Sequence, residues 1–77
     1  MDSKLLKAKM VLREMTADAI SEYIGINRSS WFRKISGKTE FTRREISLIS
    51  TALSLDEGEL IEIFFAKDVS FTQQKEM

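Results

Sequence analysis

Apolar and polar positions along this chain recur with helical rather than strand spacing, in five runs separated by short polar breaks. In residues 4–13, Leu5, Ala8 and Leu12 fall on one stripe with Leu6 and Met10 beside it, behind Ser3 as a cap. Thr16 is placed to cap a second helix in which Ile20 and Ile24 form an i, i+4 pair. Gly25 follows at once, where a helix end favours a left-handed residue. Asn27 caps a third segment whose inward side is Trp31 and Ile35, and Gly37 closes it.

The fourth start carries the most signals. Thr42-Arg43-Arg44-Glu45 reads as a capping box, with Phe41 and Ile46 at the two hydrophobic-staple positions. Its helix sets Ile46, Ile49 and Leu53 on one side and Leu48, Ala52 and Leu55 on the other. Asp56 and Glu59 repeat the box, Leu55 can staple to Leu60, and the last body runs from Leu60 to Ala66. The spacing thus predicts an all-α domain of five short helices over residues 1–66, followed by a polar tail, 67–77. Val69 and Phe71 alternate with polar residues in that tail, a pattern open to a short strand across a dimer or to a frayed end.

Composition narrows the function classes. With 77 residues the chain makes one small domain that buries only about 60% of its unfolded surface. It has no cysteine and no histidine, so disulfides, thiolate zinc sites and the commonest general base are all missing. Carboxylates, lysines and hydroxyls show no catalytic spacing, and neither an enzyme nor a metal or other cofactor is expected. The apolar and charged shares, 43% and 31%, suit a soluble globular domain. No secretory h-region or apolar run long enough for a membrane span occurs, so the cytoplasm is the expected location.

The formal net charge of zero conceals an asymmetry. Residues 3–44 hold ten bases against four acids, and residues 45–77 hold two bases against seven. One surface should face a polyanion and another should be acidic.

The segment from Thr16 to Lys38 concentrates the chemistry. A three-residue connection, Gly25-Ile26-Asn27, is too short for a side-by-side antiparallel pair and suits the roughly 90–120° helix-turn-helix. Gly25 permits the turn, Ile26 can plug the elbow, and Ser21 is small where the helices approach. Arg28, Ser29, Phe32 and Arg33 then face outward. Two guanidinium groups on one helix suit bidentate contacts to guanine, and Phe32 suits a thymine methyl, though it could instead be partly buried. The outward side of residues 28–44 counts six bases, Lys34 among them, and one acid, Glu40. Arg43 and Arg44 oppose the macrodipole at a helix start, which suggests that they serve a partner. Lys4, Lys7 and Lys9 read as a solvated helix face.

These residues resemble the lambda-repressor-like, Cro/XRE-type helix-turn-helix family. The likeness lies in Thr16 to Ser30, Arg33 and Ser36-Gly37-Lys38, with Phe41 to Ile46 and Leu60 to Phe65 resembling small phage Cro-type repressors. It covers roughly residues 4–66. The resemblance implies that Asn27 to Ser36 is the recognition helix, with Asn27, Arg28, Ser29, Phe32 and Arg33 at base-reading positions. It implies phosphate contacts from Thr16 and the amide of Ala17, and from Lys38, Arg43 and Arg44. Lys34 stands where many relatives have an apolar core residue, with Ile35 taking that role, and Trp31 is larger than the usual aliphatic.

Ile63, Phe64 and Phe65 cannot all face one way on a helix. Either the last helix is deeply buried or the surplus apolar face is a dimer interface. The reading that follows is a double-stranded DNA-binding transcriptional regulator acting as a homodimer on operator DNA, a repressor of Cro type without a small-molecule substrate. The alternative is a protein-interaction module, or an antitoxin-like regulator, whose acidic C-terminal half docks a protein partner.

Overall fold

The computed structural model describes residues 1–65. These form helices α1 (Ser3–Leu12), α2 (Ala17–Ile24), α3 (Arg28–Ile35), α4 (Arg43–Ala52) and α5 (Glu57–Phe64). The architecture is all-helical, with no strand among the described residues. The tail and its Val69 and Phe71 lie outside them. Among the described residues no helix is long and apolar enough to cross a membrane.

Every helix begins on a side-chain oxygen that accepts the backbone amide three residues later. Asp2 takes the amide of Leu5, Thr16 that of Ala19, Asn27 that of Ser30, Thr42 that of Glu45 and Asp56 that of Glu59. Each bond satisfies an amide the helix itself leaves unpaired, for about 1 kcal/mol. Both expected capping boxes form: Glu45 accepts the amide of Thr42 and Glu59 that of Asp56. At α1 the cap is Asp2, not Ser3, which lies one residue inside the helix. The choice is tertiary, because the Asp2 amide donates to the Ile63 carbonyl of α5 at 2.7 Å and anchors the chain entry there.

The first four helices end alike. The amides of Ile26 and Lys38 reach back to the carbonyls of Ser21 and Arg33, over Gly25 (φ 84°) and Gly37 (φ 89°). Met15 and Leu55 make the same reach to Met10 and Ser50, over Glu14 (φ 59°) and Ser54 (φ 54°). This is the Schellman ending, and glycine fills its left-handed position in only two of the four. α5 stops at Phe64.

The core comprises Leu6, Met10, Ile20, Ile24, Trp31, Ile35, Ile49, Leu53 and Ile63. α2 packs on α3 and α4, while α1 packs on α5. Trp31, 2% exposed, is the largest core residue. An aromatic chain extends outward from it: Phe41 stands edge-on to Trp31 at 5.4 Å, and Phe64 edge-on to Phe41 at 5.9 Å. Ile26 packs against the core beneath the α2–α3 connection, and Ser21, 3% exposed, donates to the Ala17 carbonyl.

The buried stripe of α1 differs from the one its periodicity suggested. Leu6 and Met10 face the core, Leu5 is half-buried, Ala8 is exposed and Leu12 is 64% exposed. The two stripes are nearly equal in hydrophobicity. What selects between them is polar: Lys9 pairs with Glu59 of α5, and the Arg13 Nε donates to the Leu53 carbonyl at 2.9 Å. Both bonds require the Leu6 side of α1 to face inward. Lys9 is therefore half-buried and paired, whereas Lys4 and Lys7 are on the solvated face as expected.

Candidate nucleic-acid interface

α3 is divided cleanly between an inner and an outer side. Trp31 and Ile35 hold it against the core, and Arg28, Ser29, Phe32 and Arg33 are exposed. Phe32 is 48% exposed, so about half of its surface is covered and the other half reaches solvent. The Asn27 oxygen is committed to the Ser30 amide at 2.7 Å, which leaves its side-chain NH₂ as a donor. Arg33 reaches the Ser30 hydroxyl through Nη2 at 3.3 Å.

Arg28 is the most organised of these side chains. Its Nε lies 3.1 Å from Oδ1 of Asp18 in the first turn of α2, and its guanidinium stands 5.7 Å from the centroid of the Phe32 ring, one helical turn on. All three groups remain exposed to solvent.

At the start of α2, Thr16 is exposed and its hydroxyl accepts the Ala19 amide, while Ala17 is half-buried against the core. The Ala17 and Asp18 amides lie in the first turn, where backbone donors have no partner within the helix. Lys38, Arg43 and Arg44 are exposed. Arg43 also lines a groove between α4 and α5 formed with Phe41, Ile46, Ser47, Leu60 and Phe65.

Lys34 does not belong to the outward basic set. Its side chain is 14% exposed and its Nζ lies 3.1 Å from Oε1 of Glu45, itself 10% exposed. The same Nζ donates to the Glu40 carbonyl at 3.0 Å and stands 5.8 Å from the Phe41 ring centroid. Burial pushes the Glu45 carboxyl up, but the Thr42 amide and the Lys34 ammonium outweigh it and hold the group below the usual carboxylate range. Lysine at this apolar-looking position thus bridges α3 to the capping box of α4. Its presence on an otherwise inward line was the only trace of this pair in the sequence.

In α5, Ile63 is fully buried and has no surface to offer a partner, contrary to its expected place in a dimer interface. Phe64 is half-buried against Phe41, and Phe65, 38% exposed, is the most exposed of the three. The Lys9 ammonium and the Asp56 amide hold Glu59 below the usual carboxylate range.

Comparison of the chain with protein-family models, curated proteins and solved structures returns no match.

Proposed function

We propose that this protein is a sequence-specific, double-stranded DNA-binding transcriptional regulator in which α2 and α3 act as a helix-turn-helix and α3 enters the major groove. The observation that carries the reading is the outer side of α3. Arg28, Phe32 and Arg33 stand exposed together on an eight-residue helix whose other side is locked by Trp31 and Ile35. Such a helix offers fork donors for guanine and an apolar face for a thymine methyl at fixed spacing. The exposed Lys38, Arg43 and Arg44, with the free amides at the start of α2, supply the cations and donors that phosphates require.

Binding is by a homodimer, which repeats one small reading helix on two half-sites about 34 Å apart. Phe65, beside the half-buried Ile46 and Leu60, supports the α4–α5 groove as the dimer surface. The action is occlusion of an operator, a Cro-type repression that needs no chemistry on the DNA.

The experiment is a salt titration of binding to random duplex, followed by selection of a preferred site. The expected results are a log–log fall in affinity with salt and an enriched palindrome. Absence of binding to any duplex at low salt overturns the reading, and the protein-interaction alternative then takes its place.

A further inference from the structure

Asp18 is the anomaly of the proposed DNA-facing side. It lies in the first turn of α2, next to the amides that would meet a phosphate, and is exposed. A free carboxylate there would repel the backbone it is meant to approach. It is not free, because it holds Arg28 through Nε. As an exposed ion pair the contact adds little to stability. Its consequence is geometric, since it restricts a long, flexible side chain to a small set of rotamers.

The restriction is completed by Phe32. The guanidinium stands over the Phe32 ring within the range of a cation–π contact, and both side chains project outward from the same side of α3, four residues apart. The ion pair uses Nε, so the two terminal nitrogens of the fork remain to donate. Two parallel donors match O6 and N7 of guanine. The half-exposed Phe32 ring lies 5.7 Å from that guanidinium, and the apolar group a major groove offers beside a base edge is the 5-methyl of a pyrimidine.

We propose that Arg28 and Phe32 form a single composite reader of a 5-methylpyrimidine next to guanine, a T-G step or its methylated C-G equivalent, with Asp18 as its positioning residue. The inference rests on the DNA-binding reading above and deepens it by naming the base step. A pyrimidine–purine step is also the most easily deformed in duplex DNA, which lets a short helix settle its fork and ring against both bases.

The test uses the full chain on its selected duplex. Replacing the thymine of the step by deoxyuridine removes only the methyl and should weaken binding several-fold; replacing the T·A pair by C·G should do likewise, and 5-methylation of that cytosine should restore it. Phe32→Ala should erase these differences. Asp18→Asn should shrink the penalty for substituting the guanine, roughly 5- to 150-fold for a good bidentate contact, while binding to random duplex stays equal or tightens as a negative charge is lost. A merely structural Asp18 would lower the melting temperature and weaken both duplexes alike. A selected site without such a step, equal binding of thymine and deoxyuridine, or unchanged guanine discrimination in Asp18→Asn would overturn the composite reader and leave DNA binding standing. Failure to bind any duplex would overturn both.

Discussion

Lys34 of α3 and Glu45 of α4 face each other at 3.1 Å, largely out of solvent, and Glu45 at the same time accepts the Thr42 amide that opens α4. One carboxylate therefore joins two helices and starts one of them. The proposed reading helix is held at its outer end by this pair and at its inner side by Trp31.

Removing one partner should cost more than removing both. Glu45→Ala strands the Lys34 ammonium and breaks the capping box, and about 3 kcal/mol of destabilisation is expected from loss of one member of a largely buried pair. Replacing both residues by apolar ones of similar volume should recover the part of that loss due to the stranded charge and leave about 1 kcal/mol for the lost capping box. Chemical denaturation midpoints of Glu45→Ala, Lys34→Met and the double variant Lys34→Met, Glu45→Leu check this. If the double variant is no more stable than Glu45→Ala, the pair is not coupled.

Acid should loosen the fold at two points. Glu45 is held low by the Thr42 amide and Lys34 against the opposing effect of burial, and Glu59 by Lys9 and the Asp56 amide. A carboxyl that is more acidic folded than unfolded stabilises the fold fully above its unfolded value, near 4.5. That contribution disappears as pH falls through the lower native value. The melting temperature should therefore drop from pH 6 towards pH 3, and Glu45→Gln should flatten the drop. An unchanged pH profile in that variant would remove Glu45 as a source of the acid sensitivity.

The two non-glycine left-handed residues offer a route to a more stable protein. Ser54 (φ 54°) and Glu14 (φ 59°) each occupy a conformation that costs an L-residue about 1–2 kcal/mol. Glycine avoids that cost but loses more chain entropy on folding, so Ser54→Gly should gain about 0.5 kcal/mol net. Gly25→Ala should go the other way by about 1 kcal/mol through backbone strain alone, since a Cβ at Gly25 would meet nothing within 4 Å. Thermal melts of the two variants should shift in opposite directions.

On DNA, Arg33→Ala and Lys38→Ala should separate reading from holding. Loss of Arg33 should cost about 1–3 kcal/mol on the preferred site and relax one base position, whereas loss of Lys38 should weaken all duplexes alike. Binding isotherms on specific and random duplex decide the matter; identical profiles for the two variants would mean that their roles are misassigned.

Phe65 tests the dimer. Phe65→Ser removes an exposed ring from the α4–α5 groove without touching the core. It should shift the protein towards monomer in sedimentation and weaken binding to a palindrome far more than to a single half-site. Unchanged association would place any dimer contact elsewhere.

Much of the fold was legible because it is local. Thr16, Asn27, Thr42 and Asp56 cap helices through bonds that span three residues, so residue type and spacing reveal them directly. Gly25 and Gly37 mark helix ends for the same reason, while Glu14 and Ser54 adopt the same conformation with no residue-type signal. The outward positions of α3 were equally readable, since Trp31 and Ile35 are large enough and spaced correctly to determine which side of the helix faces in.

By itself, then, the sequence determined five helices, most of their ends and the exposed residues of α3, through contacts within one or two turns. Tertiary structure alone decided three things: that α1 buries Leu6 and Met10 rather than Leu12, that Lys34 turns inward to Glu45, and that Ile63 is core while Phe65 reaches solvent. In each case the helix carries more apolar or amphipathic residues than one face can bury. Periodicity leaves such faces nearly equal, and bonds to residues distant in sequence, from Lys9 to Glu59 and from Asp2 to Ile63, select among them.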